Sequence, residues 1–360
     1  MHEIDAEVVA AEVILPGSPL DATVTFFVDR LGFRVDAVRP ADDPAVTVVS
    51  GHGLRLRLDR SVAGEPGRIR LRVAGDQHET LSAPNGTVVE LVPDRPPVRL
   101  PPLKAAFTVS RVAGAGGWGT GRAGMQYRDL LPGRLGGRVV ASHIGIPDGG
   151  PVPDYVHFHR IRFQMIFCHR GWVRVVYEDQ GEPFVLEAGD CVLQPPEIRH
   201  RVLEASPGLE VVEIGSPAEH DTLADHGLAL PTGALQPERS FFGQRFVRHR
   251  ASTATWVAEG PGVEARDTGI GAATGGLAQV HLVRGPLAAT PAGELWCAFV
   301  RAGSAVLRRD GHVEGDRLVE GDCVSVPAGT GVTFDDVSAD FEVLRVEIPA
   351  AASGPVPEHP

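Results

Sequence analysis

The chain has 360 residues, of which 43% are apolar and 22% charged, and its formal net charge is −12; this is the composition of a soluble globular protein long enough for two or three domains. The acidic balance argues against a phosphate-backbone partner, because nucleic-acid binders present a clustered basic face and the one dense basic run, RFVRHR at 245–250, is short. No segment approaches the ~20 apolar residues of a membrane span and the opening MHEIDAEVV is too acidic for a secretory leader, so a cytoplasmic protein with neither nucleic acid nor membrane as partner is expected.

In chain order, EVVAAEVILPG reads as a strand and SPLDATVTFFVDRLGF as a helix with a Ser or Asp cap. RVDAVRP, AVTVVSG and LRLRLDR follow as three strands, then RIRLRVAG and PNGTVVELVP as two more, the last opened by an Asn-Gly turn. With FFVDRLGFRV and PNGTVVELVP, this β-α-β-β-β order over about residues 7–95 resembles the glyoxalase/vicinal-oxygen-chelate superfamily. The resemblance places metal ligands where Glu12 and Glu90 fall, but the strand opening the second half offers Arg and its helix is missing. A small α+β domain over 1–95 is therefore expected to lack metal and to serve as scaffold, lid or homodimer surface.

The proline-dense DRPPVRLPPLK cannot be a helix or central strand and opens a linker over 96–118. Beyond it the pattern is mainly β, and it repeats. YRDLLPGRLGGRVVASHIG (127–145) matches ARDTGIGAATGGLAQVHLV (265–283), with Arg128, Asp129 and His143 answered by Arg266, Asp267 and His281. AGDCVLQPP (188–196) matches EGDCVSVPA (320–328), and Gly171 matches Gly303. The second copy is six residues shorter between these segments, in the stretch that in the first copy holds YVHFHRIRFQ. Cys168, Cys191, Cys297 and Cys323 form no CxxC pair and are expected as small buried residues.

On a strand, residues two apart share a face, so His157 and His159 should project together, with Val156 and Phe158 opposite. A bend over Arg160 to Arg162 would bring Gln164 to the same side, and LQPPEIRHRVLE would start a new strand carrying His200. Three imidazoles and an amide oxygen suit a divalent first-row ion. HFHRIRFQMIFCHRGW followed by GDCVLQPPEIRH resembles the two motifs of the cupin superfamily: H-x-H, an acid or amide four to five residues later, Gly, then G-D-x-x-x-x-P-x-x-x-x-H. The resemblance implies two jelly-roll β-barrel domains in tandem, a bicupin: a metal-binding one over 119–222 and, after a linker at 223–248, a degenerate one over 249–349 with a tail at 350–360. It implies His157, His159, Gln164 and His200 as ligands of one ion (Zn, Mn, Fe or Ni). Their counterparts by the repeat, Ala289, Pro291, Trp296 and Val332, cannot bind metal.

Alternation puts Tyr155 with the histidines and Arg162 with Gln164, so a phenol and a guanidinium are expected as catalytic groups around the ion, Arg162 to clamp a carboxylate. Glu204 and Glu213 are candidates to orient a ligand imidazole. His143, repeated as His281 in the metal-free copy, is expected to serve packing or an interface, and SPAEHDTLADHGL (216–228) to be a solvated helix or tail. Where Glu is usual among cupins, Gln164 leaves the ion its full charge, and three-His, one-Gln cupins are known for non-oxidative reactions. The expected function is Lewis-acid chemistry of isomerase, cyclase or lyase type on a small enolisable or carboxylated substrate. The alternatives are an Fe(II)-dependent dioxygenase using the same residues and a metal or small-molecule binding protein without turnover.

Overall fold

A computed structural model describes residues 7–113, 117–121 and 124–350; the expected tail at 350–360 lies, apart from Ala350, outside them. The chain divides into two units, Met1–Pro97 and Val98–Pro360. In the first, Val13–Pro16 pairs in parallel with Leu54–Asp59, and Val46–Gly51 and Arg34–Arg39 complete a four-stranded sheet. The helix Leu20–Thr25 starts at Pro19, with neither Ser nor Asp capping it by side chain, and runs into a π-helical turn at Phe26–Arg30. It seals the sheet with Phe26, Phe27 and Leu31. A separate sheet adds Arg68–Val73, Val88–Pro93 and one strand the sequence pattern did not predict, Glu79–Ser82. Glu12 accepts a hydrogen bond from Arg55 at 2.7 Å, and Glu90 from Arg70 at 2.8 Å.

The second unit is mainly β, as expected, but the expected jelly-roll barrels are not there. Among the described residues every sheet is open, the six-stranded one with Gly150–Pro151 branching from His200–Ala205, and none closes on itself. A barrel needs a hydrogen-bonded ladder between the ends of its sheet. Here the chain instead passes between sheets at corners: His157–Arg160 lies in a six-stranded sheet, Phe163–Arg170 in a seven-stranded one, and Ile161 and Arg162 between them belong to neither. The short strands Gly119–Thr120 and Val247–His249 end the larger sheet without bridging to the smaller.

The sequence repeat coincides with a repeated strand order. Cys191–Leu193, Phe163–Arg170, Leu209–Ser216, Val140–Ile146 and Gln126–Asp129 lie side by side in one seven-stranded sheet. Cys323–Ser325, Leu295–Ala302, Glu342–Ile348, Gln279–Arg284 and Val263–Asp267 take the same order in another. The two sheets face each other: Phe163, Met165, Phe167 and Ile214 share one core with Leu282, Phe299, Leu344 and Ile348. Opposite faces of the same strands line each module's own interior, which in the second module packs apolar residues around Trp296, Phe334 and Phe341.

Each module also holds the other's entry strand. Thr108–Ser110, which leads into the first module, pairs with Cys323–Ser325 of the second. Val247–His249, which leads into the second, pairs with Cys191–Leu193 of the first. The repeated G-D-C motif is the clasp. Asp190 Oδ1 accepts from the Ala251 amide at 2.8 Å and Asp322 Oδ1 from the Val112 amide at 2.7 Å. Asp322 also accepts from the Val319 amide at 3.1 Å and is 1% exposed. Asp322→Ala is expected to destabilise the protein by about 1–3 kcal/mol for each amide orphaned, measurable as a lowered urea midpoint.

Candidate metal centre

His157 and His200 face each other directly on neighbouring antiparallel strands, their ring centroids 4.2 Å apart. His159 follows on the same face, 5.3 Å from each. The three rings each offer a ligand atom, and these atoms all lie within 4.8 Å of one another. His157 and His200 are buried, and His159 is partly exposed.

The hydrogen bonds at the far side of each ring decide the tautomers. His157 Nδ1 donates to the Tyr155 carbonyl at 2.8 Å, with Asp154 Oδ1 at 3.6 Å, and His200 Nδ1 donates to the Ile198 carbonyl at 3.0 Å. A carbonyl only accepts, so both rings carry hydrogen on Nδ1, and in the neutral ring the lone pair is on Nε2. His159 Nδ1 lies 2.9 Å from Thr222 Oγ1, a contact compatible with the same tautomer. Histidines that hold metals are oriented in this way, through the other ring nitrogen.

Gln164 lies on Phe163–Arg170, in the seven-stranded sheet. Phe163, Met165 and Phe167 face the core between modules, so the intervening Gln164 points into the module interior, where it is 2% exposed. Its Nε2 donates to Glu213 Oε1 at 2.5 Å, which leaves the amide oxygen as the atom suited to an ion. Glu213 therefore orients the amide rather than an imidazole. Glu204 lies 3.5 Å from Arg174 instead. Glu213→Gln is expected to weaken metal binding roughly 10–100-fold without abolishing it, the usual effect of losing a group that orients a ligand; competition with a chromophoric chelator measures this.

Tyr155 is 43% exposed, its ring 6.0 Å from His157 and 5.7 Å from His226. Arg162 is turned to the other module, its Nη1 3.2 Å from Glu294, which Arg138 also holds at 2.8 Å. Tyr177 stacks on His200 at 5.5 Å, and burial pushes its phenol far above the ordinary value, so it stays protonated. Sequence reasoning missed the segment around 221. Asp221–Ala224 is a strand paired with His157–Arg160, and it places Thr222 against His159 and the His220 ring 5.3 Å away. Its signal was the short TLA alternation, hidden by the acids around it.

Comparison with His281 sharpens the role of His143. Arg128 stands opposite His143, but Asp267, not Arg266, stands opposite His281. The two histidines are one position out of register. His143 faces the core between modules beside Phe299, whereas Val280 and Leu282 take that face around His281.

All four cysteines are buried and none is in a disulfide. No helix among the described residues is long and apolar enough to cross a membrane.

The chain matches no protein-family model and no curated protein. It is similar to solved structures. A mutant of Bacillus subtilis oxalate decarboxylase matches at 13% identity and TM-score 0.51, over 71% of this chain and 79% of that one. Salicylate 1,2-dioxygenase from Pseudaminobacter salicylatoxidans matches at 15% and 0.50, over 69% and 86%. At such identities the likeness is one of fold.

Proposed function

We propose that this protein is a metal-dependent enzyme in which His157, His159, His200 and the Gln164 amide oxygen hold one divalent ion. The observation that carries the reading is the convergence of three imidazoles within 4.8 Å, with each Nδ1 engaged on the far side of its ring. Bound there, the ion would supply Lewis acidity to the oxygens of a small enolisable or carboxylated substrate, for chemistry of isomerase, cyclase or lyase type.

The chain's own groups fit that work. Tyr155, half-exposed beside His157 and His226, can hold or pass a proton at its phenolic oxygen. The apolar interior under the ligands, with Val175, Leu186 and Ile198, keeps bulk water from that side. Arg162, paired with Glu294, is not counted among the substrate's contacts.

A second reading, an Fe(II)-dependent dioxygenase at the same residues, is favoured by the fold likeness to a dioxygenase. One experiment separates the two. Protein loaded singly with Zn, Mn, Ni or Fe is incubated with a panel of keto acids, diketones and uronates, with and without oxygen, and followed by NMR. Conversion by the zinc form under anaerobic conditions supports the first reading. Turnover by the iron form alone, with oxygen uptake, overturns it in favour of the second. A retained ligand that leaves unchanged argues for a binding protein.

A further inference from the structure

A second cluster of ligand-type side chains lies between the two modules, on the face of the strand Phe163–Arg170 opposite Gln164. His169 is 4% exposed, and neither of its ring nitrogens has a hydrogen-bond partner among the described residues. A buried polar group left so is costly. Its Nε2 lies 3.5 Å from Glu320 Oε1 and 3.8 Å from Glu210 Oε2. A tetrahedral ion bound ~2.0–2.2 Å from nitrogen and oxygen donors holds them ~3.4 Å apart. From this we infer that His169, Glu210 and Glu320 form a second divalent-metal site, joining the first module to the second and separate from the His157 centre.

His143 has a ring nitrogen within 4.8 Å of ligand atoms of His169 and Glu210 but is not a ligand here. Arg128, which can only donate, reaches His143 Nδ1 at 3.0 Å, so His143 carries its hydrogen on Nε2 and donates it to Glu210 Oε2 at 2.8 Å. It positions the carboxylate and keeps it ionised: that hydrogen bond holds Glu210 down to about 2. Burial, then the neighbouring His143, pushes His169 down to about 3, so its ring is neutral at physiological pH and has a lone pair to give.

Two carboxylates that both approach one neutral imidazole nitrogen can share a cation with it. Arg170 now spans them, at 3.1 Å from Glu210 and 2.6 Å from Glu320, from a side chain 52% exposed that can withdraw into water. A β-bulge between Cys168 and Arg170 lets adjacent residues aim at one cluster, a common device beside binding sites. The second module supplies an internal comparison. Where the repeat puts His169 and Glu210, it has Arg301 and Glu342, 3.2 Å apart. There the position, 29% exposed, carries its own cation; in the first module it is buried and carries an imidazole.

The test is metal stoichiometry on the full-length protein, stripped with chelator, reloaded with zinc alone and desalted. Wild type is expected to take up about two equivalents and His169→Gln about one. Glu320→Gln, at a more exposed position, gives a second variant and is also expected to retain about one. Arg170→Ala is expected to bind the second ion more tightly, because it removes the competing guanidinium. Cobalt substitution adds a spectroscopic check: a visible d–d band lost in His169→Gln and kept in His157→Ala/His159→Ala. An ion count unaffected by both His169→Gln and Glu320→Gln overturns the inference, whatever the wild-type total. Failure of the His157 centre would instead appear as an ion count unchanged in His157→Ala/His159→Ala.

Discussion

His157→Ala/His159→Ala is expected to bind about one equivalent of divalent ion fewer than wild type, its affinity at that centre falling by more than the ~100-fold upper range for residues that only orient ligands. Half of the donor set goes, and His200 and Gln164 alone do not make a stable site for a first-row ion. The fold should survive. His157 and His159 sit on a short strand held on both sides, by His200–Ala205 and Asp221–Ala224, and the apolar core under it does not depend on either ring. Circular dichroism and elemental analysis on the same sample check both halves. A variant with unchanged metal content would sink the assignment of this centre. One that loses its metal only together with its secondary structure would leave the rings as packing residues, and single His159→Asn, at the partly exposed ring, then decides between the two.

What could be read from the sequence was local. Alternation put His157 and His159 on one face and Phe158 on the other, and the structure seats Phe158 beneath the Arg199 guanidinium at 4.0 Å, away from the rings. The bend that frees Gln164 was legible because HRIRF breaks the alternation. The partner of Gln164 was not, since Glu213 is 49 residues away and no local pattern links an acid on one strand to an amide on another. That partner changes the chemistry expected of the amide. A neutral amide backed by a carboxylate would be polarised toward a bound ion, which would then be less bare than a glutamine alone suggests. The repeat misled in one respect. Sequence alignment equated His143 with His281, but a one-residue shift in strand pairing turns a side chain to the opposite face, so the two histidines have different surroundings. Closure into barrels was illegible for the same reason: strand number and alternation are local, whereas which end strands meet is not.

A chain ended after Thr222 is the sharpest probe of how the modules depend on each other. From the sequence, a purely structural second module should be dispensable and the metal retained. The structure leads to the opposite expectation: such a fragment should be insoluble and should hold no ion. The cut falls inside Asp221–Ala224, so half of the strand flanking His157–Arg160 is lost. It removes Val247–His249, the end strand of the first seven-stranded sheet, and takes away the surface on which Phe163, Met165, Phe167 and Ile214 are buried. At ~1.5–3 kcal/mol for each large apolar side chain returned to water, those four residues alone represent on the order of 10 kcal/mol, comparable with the whole stability of a typical domain. Ending the chain after Arg250 instead restores both strands but leaves that face bare, and it is expected to aggregate as well, because exposed apolar patches of that size drive association. Gel filtration and metal content of the two fragments test this. A monodisperse, metal-bound fragment of either length would show that the first module is autonomous, and that the crossed entry strands and the Asp190 and Asp322 clasps contribute little.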